Sequence, residues 1–359
     1  MTATLKPTLK PTLNPTRDRD RRAPRPKPEE GPGYFILSLD LELAWGVFAY
    51  DALEAQRPYL VGEREVIRHL LDLLDRYRIP ATWATVGHLF LDSCQRSADA
   101  VHPDVLRPTY PWYGKDWHHL DPCTDVASDP LWYGPDIIDE IVGRPTAHEM
   151  GTHTFSHIVV GDPACTREEF RSQLRACRDV HEARGLGMRS IVYPNNRIGH
   201  LDVLAEEGVV AYRGNLDRWY TGLGGRLKRL CYLADYTVAA TPPTYPTTDR
   251  VEGPLVNLPA SMFLLPRDGV RRAVPLASRR QQALRGVRRA VERGEIFHLW
   301  FHPFNLATDP GLLDVLDRVF SEIADHTAGG RMVPITMGGL ADQLLHQEVT
   351  AHPGHRLPA

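Results

Sequence analysis

The stretch YFILSLDLEL, residues 34–43, begins with a dense apolar run and ends with two acids. A strand covered by helices on both faces has such a nearly continuous apolar sequence. Acids at the C-terminal end of a parallel barrel strand are typical of a functional site. Asp40 and Glu42 alternate along the strand, so their side chains project to the same side of the sheet. The stretch therefore predicts a parallel sheet with a carboxylate pair at one end.

Helical and strand-like patterns alternate along the rest of the chain. Apolar residues at helical spacing over 64–78 are followed by Pro80 and a strand-like run at 81–90, which makes a strand–helix–strand unit. Thr166 and Glu169 have the spacing of a capping box at the start of another helix. Further helix and strand pairs are predicted at 166–185 and 188–194, 201–208 and 209–214, 281–294 and 295–304, and 311–326 and 332–336. Repeated units of this size without a GxGxxG turn favour a barrel-like parallel sheet over a dinucleotide-binding sheet.

Two long segments interrupt the alternation. Residues 91–147 concentrate Trp and Tyr between positions 110 and 133, and residues 215–280 are rich in Gly, Pro and Tyr. Long irregular connections in a compact domain usually serve as lids or binding loops. We therefore expect both segments to cover the C-terminal face of the barrel.

The composition excludes several classes of protein. The chain is 42% hydrophobic and 24% charged with a formal net charge of −3, so it has no basic footprint for nucleic acid. No apolar run approaches the roughly 20 residues that span a bilayer. Five scattered cysteines without a C-x-x-C pair argue against a disulfide framework or a cysteine-based zinc site, and fit a reducing compartment.

The two ends of the chain are predicted to be tails. Residues 1–31 contain an imperfect LKPT repeat and a Pro/Arg run, with neither the apolar core of a signal peptide nor enough apolar residues to form a packed core. We predict a mobile N-terminal tail over 1–31, one domain over 32–345 and a C-terminal tail over 346–359. The lack of an apolar leader favours a cytoplasmic location.

The stretch HEMGTHTFSH, residues 148–157, contains three histidines, of which His153 and His157 have a spacing that suits one cation. Neutral imidazole nitrogens bind zinc and related divalent metals. With 16 histidines in 359 residues, roughly 0.7 such pairs arise by chance, so the spacing needs structural context. The alternative is a pair of structural histidines, just as Asp40 and Glu42 could be strand-end acids that cap a neighbouring helix.

A second pair with the same spacing, His298 and His302, lies in the predicted strand 295–304. In a strand these side chains share a face but lie about 13 Å apart, at about 3.3 Å per residue, which is too far to chelate one ion. His302 stands at the strand end, before Pro303, and is better placed for a site. His298 is predicted to be a core histidine with a hydrogen-bond partner.

Four segments of the chain form a recognisable set. They are, in order, SLDLELAWG (38–46), ATWATVGHLF (81–90), EMGTHTFSH (149–157) and FHLWFHPFNL (297–306), and together with VYPNNRIG (192–199) they span most of residues 34–341. This set resembles the NodB-homology polysaccharide deacetylases, carbohydrate esterase family 4. The resemblance implies a distorted (β/α) barrel, in agreement with the fold predicted from the strand and helix pattern.

The resemblance also assigns a role to each candidate residue. Asp40 matches the general base and His302 the general acid. Glu42 matches the metal-binding carboxylate, which is normally Asp in the family, and His153 and His157 complete the metal triad. The implied cofactor is a divalent metal, with zinc as the expected ion.

The sequence departs from the family pattern at two points. The first motif has Asp-x-Glu in place of adjacent acids, so the ligand at position 42 is longer. The family's arginine motif places an arginine shortly after a proline to orient the catalytic Asp, whereas the order here is Pro194-Asn195-Asn196-Arg197. Either Arg197 from a shifted position or Asn196 through a hydrogen bond could orient Asp40.

These assignments predict a metal-dependent hydrolase that removes an N-acetyl group from an acetylated amino sugar or a sugar-containing metabolite. The substrate is thus a small molecule or a saccharide, and we expect the aromatic residues at 110–133 to stack on sugar faces. Two alternatives stay open: a hydrolase of a non-sugar amide or cyclic C–N bond on the same scaffold, and a non-catalytic carbohydrate-binding scaffold. We expect no nucleic-acid partner and no membrane span, and the sequence leaves the oligomeric state open.

Overall fold

A computed structural model describes residues 31–50, 52–98, 100–216 and 218–351. Over these residues the chain forms one ten-stranded sheet with α-helices packed around it. The strands are β1 Gly33–Leu41, β2 Thr82–Thr85, β3 Glu149–Thr152, β4 Ser190–Ile191, β5 Ala211–Tyr212, β6 Val251–Glu252, β7 Leu255–Asn257, β8 Met262–Phe263, β9 Ile296–Phe301 and β10 Met332–Pro334. The α-helices are α1 Leu53–Val61, α2 Glu63–Tyr77, α3 Pro135–Val142, α4 Arg167–Glu182, α5 Leu201–Glu206, α6 Gly225–Thr237, α7 Leu276–Arg293, α8 Phe304–Thr308, α9 Gly311–Ala328 and α10 Met337–Ala351. Short 3-10 helices lie at Leu43–Gly46, Phe48–Tyr50, Gly87–Phe90, Pro194–Asn196 and Gly269–Ala273.

The sheet is parallel along its main path, which runs β7-β5-β4-β3-β2-β1-β9-β8. β10 pairs in parallel with the start of β1, and β6 forms an antiparallel hairpin with β7. The segment 255–263 contains both β7 and β8, so it pairs with β5 at its start and with β9 at its end. This segment joins the two ends of the path, and the predicted distorted barrel is confirmed.

β1 lies in the middle of the sheet and directs its alternate residues to two sides. Its odd-numbered apolar residues, from Phe35 to Leu41, belong to the main hydrophobic core beneath the surrounding helices. Ile36 packs in a second cluster with Leu340 of α10, which closes one end of the barrel interior. Ser38 and Asp40 follow on the same side of β1 as Ile36. The interior therefore passes from an apolar base to polar residues at the C-terminal ends of the strands.

The predicted helices and strands form, although many of the strands are shorter than predicted. The capping box of α4 is present: Thr166 Oγ1 accepts a hydrogen bond from the Glu169 N–H (3.2 Å), and Glu169 Oε2 accepts one from the Thr166 N–H (2.7 Å). The two segments predicted to be irregular contain regular structure, because α3 lies within 91–147 and α6 and β6–β8 lie within 215–280.

The ends of the chain differ in part from their prediction. α10 continues to Ala351, so residues 346–351, which the sequence assigned to a C-terminal tail, are helical. Residues 352–359, and the N-terminal tail apart from Gly31, lie outside the described residues. None of the helices in the described part of the chain combines the length and the apolar character needed to cross a membrane.

Candidate active site

Most of the predicted site residues stand where parallel strands end, at the same face of the barrel. Asp40 is near the end of β1 and Glu42 follows that strand directly. His153 follows β3, and His302 follows β9. Because the C-terminal ends of parallel strands meet at one face, residues far apart in sequence are brought into contact there.

Three predicted metal ligands meet at one carboxylate oxygen. Oε1 of Glu42 lies 2.9 Å from Nε2 of His153 and 3.1 Å from Nε2 of His157. All three residues are at most 5% exposed. Ligand atoms bound to one ion at about 2.0–2.1 Å are separated from each other by about 3.0–3.4 Å, so these contacts have the spacing of a cation site.

The environment of His153 favours metal binding through Nε2. Its Nδ1 lies 2.7 Å from the carbonyl oxygen of Val192, so an N–H at Nδ1 donates to that carbonyl. Nε2 then carries the lone pair of a neutral imidazole, directed at Glu42. A backbone carbonyl in this position is the usual partner of a metal-binding histidine. The donor set and its surroundings therefore fit a divalent cation.

The loop after β3 turns sharply to bring both histidines to the same place. Thr154 and His157 have positive φ angles of 62° and 58°, a conformation that non-glycine residues seldom adopt. The loop is held from the side of β2, where the Gly87 N–H donates to the Thr154 carbonyl (2.9 Å) and the His88 N–H donates to the Phe155 carbonyl (2.8 Å). These hydrogen bonds hold the loop backbone in its strained conformation.

Gly46 provides the space for the Glu42 carboxylate. A Cβ added at Gly46 would lie 1.8 Å from Oε2 of Glu42 and 2.7 Å from its Cδ. Glu42 precedes the 3-10 helix Leu43–Gly46, and that turn brings Gly46 back over the acid. The longer acid at position 42 therefore depends on the absence of a side chain four residues later.

Asp40 is paired with Arg213, a residue that the motifs did not predict to lie in the site. Nη1 and Nη2 of Arg213 donate to Oδ1 and Oδ2 of Asp40, at 2.6 and 2.7 Å. Both side chains are buried, with exposures of 0% and 3%. Arg213 directly follows β5, so it reaches Asp40 across the barrel interior. The rule that led to Asp40, a charged residue at the end of a predicted strand, applies equally to Arg213 in VVAYRG (209–214).

Further contacts hold Arg213 in place. Its Nη1 also donates to Oγ of Ser38 (3.0 Å), and that hydroxyl lies 2.8 Å from Nε2 of His298. The guanidinium carbon lies 4.1 Å from the centre of a Trp300 ring, a cation–π contact. His298 is fully buried, its Nδ1 lies 3.1 Å from the Leu258 carbonyl, and burial lowers its pKa to about 3. It is a core histidine with hydrogen-bond partners, as its spacing predicted.

The two residues predicted to orient Asp40 have other contacts. Asn196 Oδ1 accepts a hydrogen bond from Nη2 of Arg213 (3.2 Å), so it supports the arginine and not the aspartate. Arg197 is directed elsewhere, with Nη2 3.4 Å from the Gly161 carbonyl. Among the described residues the ion pair of Asp40 is made with Arg213, and the prediction that Arg197 or Asn196 orients Asp40 directly is wrong.

His302 lies close to both acids. Its Nε2 lies 3.5 Å from Oε1 of Glu42 and 3.9 Å from Oδ2 of Asp40. Its side chain is 22% exposed, against 3% for Asp40 and 6% for Glu42, so it is the group of this cluster most open to a substrate. The rings of Phe304 and Trp300 lie 5.2 and 5.8 Å from its ring and limit its rotation.

The charges of the cluster are strongly coupled. Burial would raise the pKa of Glu42, but the imidazoles of His302, His157 and His153 hold it well below its ordinary value. Burial would lower the pKa of His302, but the Glu42 and Asp40 carboxylates raise it to about 9. Glu63, at the start of α2, is fully buried, and burial together with the negative charge of Glu42 raises its pKa to about 8.

The aromatic residues of the 110–133 segment are mostly part of the core. Tyr110, Trp117 and Tyr133 are at most 1% exposed, and Trp132 is 7% exposed. The prediction that this aromatic segment stacks on sugar faces is therefore wrong for these four residues. Trp112 differs, because it is 48% exposed and its ring stacks on Tyr50 at 6.1 Å and 6°.

Tyr50 and Trp112 form an exposed aromatic pair that connects to the site. The Tyr50 hydroxyl accepts a hydrogen bond from Nδ2 of Asn195 (2.7 Å), next to the residue that supports Arg213. Nε1 of Trp112 donates to Oδ2 of Asp162 (3.1 Å). These contacts hold the pair in a fixed orientation, with each residue about half exposed.

Comparison with known proteins finds a sequence-family match over part of the chain and a shared fold over nearly all of it. Residues 57–206 match the sequence family described as Polysaccharide deacetylase. The matched range includes His153 and His157 and excludes Asp40, Arg213 and His302. The chain has no match among curated proteins.

Three solved structures share the fold over nearly the whole chain. A candidate polysaccharide deacetylase from Mycobacterium smegmatis has a TM-score of 0.56 and 17% identity, over 90% of this chain and 95% of that one. A candidate polysaccharide deacetylase from Pseudomonas aeruginosa PAO1 has a TM-score of 0.54 and 14% identity, over 90% and 92%. PuuE allantoinase has a TM-score of 0.57 and 12% identity, over 96% of this chain and 100% of that one. Together, the sequence match and the shared fold confirm the resemblance to the polysaccharide deacetylases that the motifs predicted.

Proposed function

We propose that the chain is a metal-dependent hydrolase that removes an N-acetyl group from an acetylated amino sugar or a sugar-containing metabolite. One observation carries the proposal: an oxygen of Glu42 and Nε2 atoms of His153 and His157 converge at about hydrogen-bond distance beside Asp40 and His302. The match to the polysaccharide deacetylase family supports an enzyme that hydrolyses an amide or ester bond.

Glu42, His153 and His157 are the residues that would hold the cation. Two imidazoles and one carboxylate form a donor set of catalytic zinc sites, and three protein ligands leave coordination positions for water and substrate. A divalent cation bound there polarises a carbonyl group and lowers the pKa of water.

Asp40 is the proposed general base. Arg213 donates one hydrogen bond to each carboxylate oxygen, and each oxygen retains a second lone pair that can accept a proton. The bidentate pair also fixes the plane of the carboxylate, which keeps that lone pair directed at one place. Asp40 therefore takes the proton of the water that attacks the acetyl carbon.

His302 is the proposed general acid. It lies across from Asp40 and is the more exposed of the two, so it can reach the nitrogen of a bound amide. The water oxygen first bonds to the acetyl carbon, and the C–N bond then breaks as His302 protonates the leaving amine. The products are acetate and the free amine, and no covalent enzyme intermediate is required.

The exposed Tyr50–Trp112 pair is the proposed saccharide platform. Aromatic rings with a fixed orientation give a flat apolar surface of the kind that packs on a sugar ring. The hydrogen bond from Asn195 to Tyr50 places this pair next to the residues around Asp40. A Tyr50→Ala variant is expected to raise KM for a saccharide and leave kcat nearly unchanged, because the platform does not contact the reacting atoms.

A second candidate function is hydrolysis of a smaller, non-sugar amide or cyclic C–N bond. The burial of Tyr110, Trp117, Trp132 and Tyr133 favours it, since it removes most of the aromatic surface expected for a saccharide. The fold is shared with an allantoinase, so this scaffold occurs in a protein named for a non-sugar substrate. The two candidates share the same metal and acid–base groups and differ in the substrate alone.

Metal analysis and acetate release test the proposal. The purified protein is expected to hold a divalent ion and to lose activity with a chelator, and an acetylated amino-sugar panel is expected to release acetate. Asp40→Asn and His302→Gln are expected to abolish turnover and keep the metal. Asp314→Asn and His346→Gln, on exposed positions of α9 and α10, serve as matched controls.

Each outcome has a distinct meaning. Full activity of Asp40→Asn would refute the base assignment. Release of amine from small or cyclic amides without acetate from any sugar would favour the second candidate. A protein that binds saccharides without metal and without turnover would be the carbohydrate-binding scaffold, and the enzyme proposal would fail.

A further inference from the structure

A second group of metal-binding side chains lies away from the proposed active centre. His88 belongs to the 3-10 helix Gly87–Phe90 after β2, and the other members, Cys94, His102 and Asp121, come from the segment that follows. One ligand atom from each of the four lies within 4.8 Å of every other. His88 and Asp121 are buried, and Cys94 and His102 are partly buried.

The contacts centre on one oxygen, as they do in the active centre. Oδ2 of Asp121 lies 3.0 Å from Nε2 of His88 and 3.1 Å from Nε2 of His102. Sγ of Cys94 lies 3.7 Å from the same oxygen. Ligands of a tetrahedral zinc ion, with bonds of 2.0–2.3 Å, are separated from each other by about 3.3–3.7 Å. A small movement of the two imidazoles would give this geometry.

The hydrogen bond at Nδ1 of His88 determines the tautomer of the ring and leaves two acceptors, Nε2 and the Asp121 carboxylate, facing each other. Nδ1 of His88 lies 3.1 Å from the Trp132 carbonyl oxygen, to which an Nδ1–H donates. Nε2 of the neutral ring then presents a lone pair to the Asp121 carboxylate, which also presents lone pairs. Among the described residues this buried Nε2 has no hydrogen-bond partner, although the carboxylate oxygen is 3.0 Å away. A cation bound by both atoms removes this conflict.

We propose that His88, Cys94, His102 and Asp121 form a second metal site, which binds zinc or a similar divalent transition metal in a structural role. Four protein ligands complete a tetrahedral shell, unlike the three of the active centre. A cysteine sulfur disfavours magnesium and calcium, which prefer oxygen ligands. Binding deprotonates Cys94, and the thiol proton is released to solvent.

Neighbouring groups support the four ligands. The Cys123 N–H donates to Oδ1 of Asp121 (2.9 Å), which leaves Oδ2 for the metal. The Tyr133 hydroxyl lies 3.2 Å from Sγ of Cys94 and also contacts Oδ1 of Asp121 at 3.5 Å. Such hydrogen bonds orient ligands, and their loss commonly costs 10–100-fold in metal affinity.

The position of the site explains what it does for the protein. Backbone N–H groups of Gly87 and His88 hold the carbonyls of Thr154 and Phe155, in the strained loop that carries His153 and His157. An ion bound to His88 fixes this helix to the 94–121 segment. The second site therefore stabilises the framework of the first without contacting substrate.

The five scattered cysteines, without a C-x-x-C pair, argued against a cysteine-based zinc site. Here a single cysteine is combined with two histidines and an aspartate over residues 88–121, at spacings of no known short motif. Cys94 and Asp121 lie in the segment predicted to be irregular, where no periodicity relates their side chains. The proposed site differs from the cysteine-based zinc sites considered in the sequence because it contains one cysteine and no cysteine pair.

Cobalt substitution distinguishes the two sites, because the second contains a thiolate and the first does not. The wild-type protein is expected to bind two ions per chain and, with cobalt, to show thiolate-to-cobalt charge-transfer absorption. A His153→Ala/His157→Ala variant is expected to keep one ion and this absorption. Cys94→Ser is expected to lose the absorption and keep one ion, and the retained ion together with circular dichroism verifies that it folds. Cys231→Ser, the matched cysteine control on α6, is expected to keep it.

The X-ray absorption spectrum of zinc in the His153→Ala/His157→Ala variant provides a test that does not require Cys94→Ser to fold. It is expected to contain one sulfur neighbour at about 2.3 Å and nitrogen or oxygen neighbours at about 2.0–2.2 Å. Absence of a sulfur neighbour, absence of the cobalt absorption in the wild type, or its persistence in Cys94→Ser would overturn the proposal. None of these results depends on catalytic turnover.

Discussion

Replacement of Gly46 by alanine is expected to disable the proposed metal site through one added carbon. The new Cβ would lie 1.8 Å from Oε2 of Glu42, where a comfortable carbon–oxygen contact needs about 3.3 Å. One of the two groups must therefore move by about 1.5 Å. The backbone is poorly able to do so, because the Ala44 N–H donates to the Leu131 carbonyl (3.0 Å) and Nε1 of the buried Trp45 donates to the Trp132 carbonyl (3.3 Å). The carboxylate is the group that we expect to move.

A shift of this size is large for a ligand. Metal–ligand distances tolerate about 0.2 Å, so a displaced Glu42 no longer binds with His153 and His157. We expect metal affinity to fall at least tenfold and kcat/KM about 100-fold. The φ angle of Gly46 is not positive, so alanine can adopt this backbone conformation. The loss would therefore come from the collision and not from backbone strain.

Metal titration by calorimetry, together with circular dichroism, measures the effect without knowledge of the substrate. Gly62→Ala is the matched control, because a Cβ at Gly62 would meet its nearest neighbour at an ordinary 3.5 Å. Glu42→Asp combined with Gly46→Ala is expected to bind metal more tightly than Gly46→Ala alone, since the shorter acid withdraws from the added methyl group. A Gly46→Ala protein with wild-type metal affinity would refute the reasoning.

Three further substitutions test other parts of the structure. Arg213→Lys retains the charge but cannot form the bidentate pair with Asp40, so kcat/KM is expected to fall about 100-fold with unchanged metal content; equal loss in Arg197→Ala would contradict this assignment. Thr166→Ala removes the capping box of α4 and is expected to cost about 1 kcal/mol in urea unfolding, with activity retained; an unchanged midpoint would contradict it. Glu63 has a pKa of about 8 in the folded chain against 4.5 as its ordinary value, so its contribution to stability is present below pH 4.5 and is lost as the pH rises towards 8. Chelator-treated wild type is therefore expected to lose a few kcal/mol between pH 5 and 8 that Glu63→Gln does not lose, and parallel pH profiles would refute the burial argument.

Local patterns predicted most of the residues that meet in the candidate site. Asp40 and Glu42 could be predicted because a strand alternates its side chains and the parallel strands of a barrel end at one face. His153 and His157 could be predicted as a pair, but their convergence depends on two residues with positive φ, which no spacing rule describes. The positions of the strand acids follow from strand periodicity and could be predicted. The convergence of the two histidines depends on a strained loop and could be seen only in the structure.

Long-range partners were harder to predict. Arg213 is 173 residues from Asp40, and its pairing follows from a sheet that curls until β5 and β1 face each other. The aromatic residues at 110–133 were instead predicted to bind substrate, although most of them pack in the core. Composition alone cannot distinguish rings that bind a substrate from rings that pack together, and Tyr110 and Trp117 prove to be core residues. In both cases the missing information is which elements the barrel places in contact.

The sequence departs from the family motifs at two positions, and for each departure a residue elsewhere in the chain compensates. The acid at 42 is one methylene longer than the usual aspartate, and Gly46 leaves room for that length. The resemblance implied an arginine after Pro194 as the partner of Asp40, and in the structure that partner is Arg213 from the end of β5, with Asn196 in contact with it. What such a site must conserve is the position of a few oxygen and nitrogen atoms, and a barrel offers several strand ends from which each can be supplied. A chain with aspartate at position 42 would not need glycine at 46, so the two positions should be read as one unit.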